Sequence, residues 1–233
     1  MRSASVRALL VAVVVLCLAG CSTEHRVTGP LPWQPPAANS PSNAIRLFEW
    51  GWNHRDLGAF RDVLTGDFRF VFALGDSAGN QFRDDPIGRE DLLACLEHLF
   101  TGGGSSPPAT SITLNLDPTL RALPDSRPGK NPTWHKEIVT SVDLTIKTGG
   151  DQEYRIMGNA RFFVVRGDSA VIPAELAVGP DSTRWYIQQW NDETLMGAGG
   201  TLRALPAMPQ PAHNTTWGDV LALYCQVPGA ARR

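Results

Sequence analysis

The sequence predicts an α+β fold: a curved mixed or antiparallel sheet wrapped around N-terminal helices, followed by a C-terminal tail helix. Three observations carry this reading. Apolar residues recur at helical spacing early in the body, at Ala44, Ile45, Leu47, Phe48 and Trp52. From Ile112 onward they alternate instead, as in half-buried strands. Finally, Arg184 to Glu193 places three aromatics and an isoleucine in ten residues with no strand breaker, which suits a buried pleated surface.

The chain begins with a short basic start and an apolar run, Ala8 to Ala19. That run is shorter than the roughly 20 residues a membrane span needs, and has the form of a secretory signal over 1–20. Residues 21–39 are polar and rich in proline (Pro30, Pro32, Pro35, Pro36), so they read as an extended linker. At about 3.3 Å per residue this linker reaches at most about 60 Å. Trp33 is its largest apolar group.

The body spans 40–195. Ser40-Pro41 reads as an N-cap with proline at the first helical position, where a missing N–H costs nothing. Asp56 caps a second short helix that buries Leu57, Phe60, Val63 and Leu64, and Thr65-Gly66 ends it. Phe68, Phe70 and Phe72 alternate as a first strand, and Leu74 to Pro86 is turn-rich. Glu90 to Phe100 is a third helix stopped by Gly102 to Gly104. Ile112, Leu114 and Leu116 form a second strand, followed by a long loop from Pro118 to Pro132. Ile138, Val142, Leu144 and Ile146 mark a third strand that turns at Gly149-Gly150-Asp151 into a fourth, Tyr154 to Arg166. The tryptophan-rich segment closes the sheet. The tail, 196–233, carries a short helix at about 216–225, capped by Thr215 or Thr216.

Composition limits the function classes. The chain has 233 residues, 42% hydrophobic and 19% charged, enough for an ordinary core. Its formal net charge is −2, and cleaving a leader that holds Arg2 and Arg7 leaves 19 basic against 23 acidic residues. A nucleic-acid partner needs a basic face, so none is expected. No His, Cys, Asp or Glu set has the spacing of a zinc or calcium site, and Gly102 to Ser106 lacks the Gly-Lys-Ser/Thr ending of a phosphate loop. No metal or cofactor is expected.

Leu18-Ala19-Gly20-Cys21 resembles the lipobox of bacterial lipoproteins. The resemblance implies cleavage before Cys21, its acylation, and attachment of the chain to a membrane through that residue. Ser22 stands where the inner-membrane retention signal prefers Asp, which implies the outer membrane, facing the periplasm.

The order helix, helix, strand, helix, then four strands in a meander resembles the nuclear-transport-factor-like cone, a cystatin-like architecture shared by ketosteroid isomerase and polyketide cyclases. Two local patterns support it: Phe60-Arg61-Asp62-Val63-Leu64 leading into Phe68-Arg69-Phe70, and Trp185-Tyr186-Ile187 with Trp190-Asn191-Asp192-Glu193. The resemblance implies a pocket between sheet and helix, with Trp52, Asn159, Trp185, Trp190 and Asp192 as candidate pocket residues. Ketosteroid isomerase chemistry needs a general-base Asp and an oxyanion hole of Tyr and protonated Asp. Here Phe48 and Trp52 stand where a phenol is wanted, and only Tyr154, Tyr186 and Tyr224 exist. No catalytic residue is assigned. Binding of a small apolar ligand or a protein partner, as monomer or homodimer, is the leading expectation. An acid–base lyase, isomerase or hydrolase is the alternative, and a subunit docking through the sheet face is a third reading.

Two points stay open at this level. Trp185, Ile187 and Gln189 share one strand parity, while Tyr186, Gln188 and Trp190 share the other. Either a bulge between Gln188 and Trp190 re-aims the second tryptophan, or the outer face is covered by a partner or, as the nearest cover, by the tail helix. Cys95 and Cys225 could pair in an exported protein, tying the third helix to the tail, although Cys95 lies among leucines where a buried thiol also fits. The lipobox reading is checked by metabolic palmitate labelling: incorporation is expected for the natural chain and lost in Cys21→Ser. Labelling unchanged by the substitution refutes it.

Overall fold

The computed structural model describes residues 34–83, 86–102, 106–150, 152–169, 172, 180–194 and 213–225. The signal segment, Cys21, Ser22, Trp33, most of the insertion around 173–180 and the tail stretch 196–212 lie outside the described residues. The chain divides after Gln34 into two units, and the second, Pro35–Arg233, holds every helix and strand named below.

Helix α1 spans Pro41–His54 and starts where Ser40 accepts the Asn43 N–H at 3.1 Å. Arg55 closes it in the left-handed region at φ 53°. Asp56 then caps α2, Leu57–Val63, by accepting the N–H groups of Gly58 and Ala59. Strand β1, Leu64–Val71, follows without a break, so Thr65 and Gly66 belong to the strand and do not end the helix. A short 3₁₀ turn, Ala78–Phe82, lies in the loop expected there. Helix α3 is Arg89–Thr101; Arg89 fastens its start by donating to the carbonyls of Leu64 and Arg61.

The sheet consists of β2 (Ala109–Leu116), β4 (His135–Thr148), β5 (Glu153–Arg166) and β6 (Trp185–Glu193) as an antiparallel meander, with β1 joined parallel to β6. Two-residue strands extend it: β3 (Leu123–Pro124) on β4, inside the expected long loop, and β7 (His213–Asn214) on β5. Helix α4, Trp217–Tyr224, is capped by Thr216, whose hydroxyl accepts the Asp219 N–H while Asp219 accepts the Thr216 N–H. This is the expected α+β arrangement, a curved sheet around N-terminal helices with a tail helix.

The strand parity question is resolved by a bulge. Phe163 faces Gln189 and Val164 faces Ile187, leaving Gln188 unpaired on β6. The extra residue shifts the alternation, so Ile187 (0% exposed) and Trp190 (1%) both enter the core although they are three residues apart. Tyr186 points the other way and packs with Val165 and Ile172. The tail helix does not cover the outer face, correcting that expectation. Instead the 117–134 loop lies there: the Arg127 guanidinium sits 4.0 Å from the Phe163 ring centroid and binds Asp125, Gln188 and Gln189. Arg161 bridges Glu137 and Glu193 on the same face. Salt bridges and amides, not an apolar patch, therefore finish the outer surface around these residues.

Cys95 and Cys225 are joined in a disulfide, with Cα atoms 4.5 Å apart. The neighbouring leucines pack around the bridge, not around a free thiol.

Gly158 sits at φ 148°, and a Cβ there would lie 2.6 Å from the Cα of Thr194. Both the left-handed backbone and the close approach require glycine. Gly158→Ala is expected to destabilise the domain by about 2 kcal/mol or more, read as a lower urea midpoint at unchanged m value.

Candidate functional site

Among the described residues, a cluster of aromatic side chains packs the interior of the cone. The Trp190 ring contacts those of Phe48 (5.1 Å), Phe70 (4.4 Å) and Phe162 (5.8 Å). Trp52 adds Phe60 and Phe100 from the helical side. The last place in this cluster is taken by Trp217 from α4, 4.6 Å from Trp190, 5.2 Å from Trp52 and 6.4 Å from Phe70. Trp52, Trp190 and Trp217 are each at most 1% exposed, and none of their indole N–H groups has an acceptor. Two expected pocket residues, Trp52 and Trp190, thus come together, but as walls around another side chain. Trp185 is partly buried at the edge of the same core. Asn159 is exposed and does not join them, because it alternates with the inward Ala160 and lies on the outer face.

An open cleft remains at the rim. Because β1 and β6 run parallel, their C-terminal ends emerge side by side, with Phe70 opposite Trp190 and Val71 opposite Asn191. Between them lies a cleft of about 520 Å³ lined by Val71 to Gly75 and Asn191 to Thr194. A smaller one of about 140 Å³, walled by Phe70, Phe82 and Pro86, shares Val71, Phe72 and Leu74 with it. One wall is apolar, with Leu74 90% exposed; the other is polar.

Asp192 is the chemically distinctive member of the polar wall. It follows Trp190 on the inward parity and is 4% exposed. Its Oδ1 accepts from the Thr194 N–H (2.8 Å) and hydroxyl (2.5 Å), while Oδ2 has no hydrogen-bond partner. Burial pushes its pKa up to about 6, against the pull of the Thr194 donors, and nearby Asp76 adds to the rise. Asp76, 1% exposed, accepts N–H groups from Gly79 (2.9 Å) and Gly218 (2.8 Å). The glycine at 218 is required, since a Cβ would sit 2.5 Å from the Asp76 carboxylate. Of the other rim acids, Glu193 is held by Arg161 at 2.7 Å. Asp143 pairs with Arg155 on the polar face of the sheet, in keeping with its strand parity. His98 Nδ1 lies 3.0 Å from the Tyr224 carbonyl oxygen, away from the rim. Among the described residues no three His, Cys, Asp or Glu side chains are grouped to hold a metal ion, and no helix is long and apolar enough to cross a membrane.

Sequence reading finds Asp192 but not Asp76 or the inward seat of Trp217. The signal for Asp76 is a glycine three residues on, whose N–H a carboxylate can accept in the manner of a cap, within a segment that otherwise reads as solvated loop.

No family model and no curated protein matches the chain. Among solved structures it is similar to a conserved protein from Planctomyces limnophilus, at 12% identity and TM-score 0.43 over 65% of this chain and 90% of that one. It is also similar to a nuclear transport factor 2-like superfamily protein from Salmonella enterica, at 12% identity and TM-score 0.44 over 67% and 91%. A hexachlorocyclohexane dehydrochlorinase from Novosphingobium barchaimii aligns at 11% identity and TM-score 0.42 over 72% and 90%. At such identities and TM-scores none of them assigns a residue or a reaction to this chain.

The raised pKa of Asp192 predicts a pH dependence. Between the ordinary value of 3.8 and about 6, the folded state keeps a proton that the unfolded chain releases. The stabilising contribution is therefore fully present below 3.8 and is lost as pH rises through about 6. A rise of about two pKa units corresponds to roughly 3 kcal/mol. Asp192→Asn is expected to flatten the stability profile across this window in urea unfolding from pH 4 to 8. An unchanged slope would show that another group titrates there.

Proposed function

We propose that this protein is a lipid-anchored envelope lipoprotein, attached through Cys21 to the outer membrane on its periplasmic side, whose cone domain binds a small ligand without transforming it. The anchor rests on the lipobox-like end of the leader and the proline-rich linker behind it. The observation that carries the binding reading is the composition of the rim cleft. Its apolar wall of Val71, Phe72 and Leu74 faces Asn191, Asp192 and Thr194. An apolar body with a hydrogen-bond-donating or cationic head complements such a surface. A general base must lie within hydrogen-bond reach of the substrate proton it takes. Asp192 is hydrogen-bonded to Thr194, and Glu193 is committed to Arg161.

The second reading, an envelope enzyme of lyase, isomerase or hydrolase type, draws support from Asp192 alone, a buried carboxyl with a pKa near the working range of a general base. Docking of a protein partner through the sheet is less well supported, because Arg127, Arg161 and their acidic partners occupy the central outer face.

Titration with octylamine, followed by backbone amide shifts, tests the binding reading. Saturable shifts are expected at 71–75 and 191–194. Leu74→Asp, on a side chain that packs little, is expected to weaken binding about tenfold, the equivalent of about 1.4 kcal/mol. No saturable shift at these residues would sink the cleft as the binding site.

A further inference from the structure

The disulfide is sealed inside the fold. Cys95 stands on α3 and is 3% exposed, and Cys225, one residue past α4, is 9% exposed. The helix beside it belongs to the main core, with Val220, Leu221 and Tyr224 buried there. Strand β7 pairs with β5 just ahead of the helix. At its far end the Tyr224 hydroxyl donates to the Pro107 carbonyl, and the Tyr224 carbonyl oxygen lies 3.0 Å from His98 Nδ1. Thiol–disulfide exchange needs access to the sulfur that reacts. The folded domain denies that access to a protein-sized oxidant, so the bond is made while the chain is still open.

An open chain brings a third thiol into play. Of the four cysteines, Cys17 departs with a leader cleaved before Cys21. Cys21, Cys95 and Cys225 then allow three pairings, and the fold contains one of them. Chain statistics do not favour that one. Cys95 lies nearer along the chain to Cys21 than to Cys225, from which 130 positions separate it. The entropic cost of closing a loop grows with the logarithm of its length, so Cys21–Cys95 is favoured about twofold over the native pair. On the same scale the native pair makes up only roughly a quarter of the single disulfides of an open chain.

We propose that the lipid group on Cys21 serves as a protecting group as well as an anchor: it is attached before oxidation, and a thiol–disulfide oxidase then meets a chain in which Cys95–Cys225 is the only pairing left. This rests on the lipoprotein reading above. The oxidase is a protein whose own disulfide accepts the electrons. The Cys225 thiolate attacks that disulfide, a mixed disulfide forms, and one oxidase sulfur leaves as a thiolate. The Cys95 thiolate then attacks the Cys225 sulfur, the native S–S bond forms, and the second oxidase sulfur is released. Two electrons and two protons pass to the oxidase. A Cys21 sulfur already bonded to a lipid carbon has no thiolate to offer at either step.

Disulfide mapping by mass spectrometry tests this. Three proteins are reduced in urea and oxidised at high dilution with diamide, which takes up two electrons and two protons per bond and supplies no thiol for reshuffling. They are the acylated protein extracted from membranes, the mature chain made without its leader so that Cys21 stays a thiol, and Cys21→Ser of that chain. The acylated protein and Cys21→Ser are expected to form Cys95–Cys225 alone. In the free-thiol chain Cys21–Cys95 is expected to be the commonest product, with the native pair reduced about fourfold. Mapping reads bonds and not folding, so it holds for a mispaired chain that does not fold. Native pairing in the free-thiol chain at the level of Cys21→Ser overturns the protecting role. In pulse-labelled cells trapped with an alkylating reagent, every chain with the bond is expected to carry the lipid; chains with the bond and an unlipidated Cys21 overturn the order. The mass of the Cys21 peptide from membranes is read separately. An unmodified thiol there refutes the anchor, whereas a lipidated peptide beside native pairing in the free-thiol chain refutes the protecting role alone.

Discussion

Burial of the Trp190 indole sets the geometry of this protein. It touches Phe48 of α1, Phe70 of β1, Phe162 of β5 and Trp217 of α4, so one side chain joins helix, sheet and tail. The contact depends on a single extra residue in β6. Without the bulge at Gln188, Trp190 would share the parity of Tyr186 and point to the outer face, and Gln189 would share the inward parity of Ile187. A one-residue irregularity in a strand therefore decides which large aromatic forms the core and which packs outside it.

That choice propagates to the rim. With Trp190 inward, the next inward position is Asp192, so the alternation that buries an indole also carries a carboxyl into the sheet interior. Its burial is tolerated because Thr194 turns back to donate twice to Oδ1, and Thr194 can approach β5 only because residue 158 is glycine. The raised pKa is thus a consequence of strand register and one missing Cβ. Beside it, Asp76 ties the 73–79 loop to the start of α4 through Gly79 and Gly218, so the acid rim and the tail helix share one electrostatic neighbourhood.

Much of the fold is legible in the sequence because local rules and the global arrangement agree. The caps at Ser40, Asp56 and Thr216 are short-range side-chain chemistry and sit where the sequence places them. The alternation of Ile138 to Ile146 and of Ile112 to Leu116 gives the meander its buried face. Thr65-Gly66 has the composition of a helix stop, but the helix has already ended at Val63 and the chain there is extended. Asn159 suggests a pocket residue by its central place in a strand, whereas strand parity sets it outside. Trp52 and Trp190 do share one interior, but sequence periodicity carries no information about what fills the space between them.

The sequence by itself determined the α+β class and the order of the elements, because helix and strand periods, caps and turn residues act over a few residues. Only the tertiary structure decided that Gln188 bulges, that α4 enters the cone instead of covering the sheet, that Cys95 meets Cys225, and that Asp76 and Asp192 share one rim. Those outcomes depend on contacts between residues far apart in the chain, such as Asp76 with Gly218, 142 positions on, and no local pattern encodes which distant side chain will claim an available space.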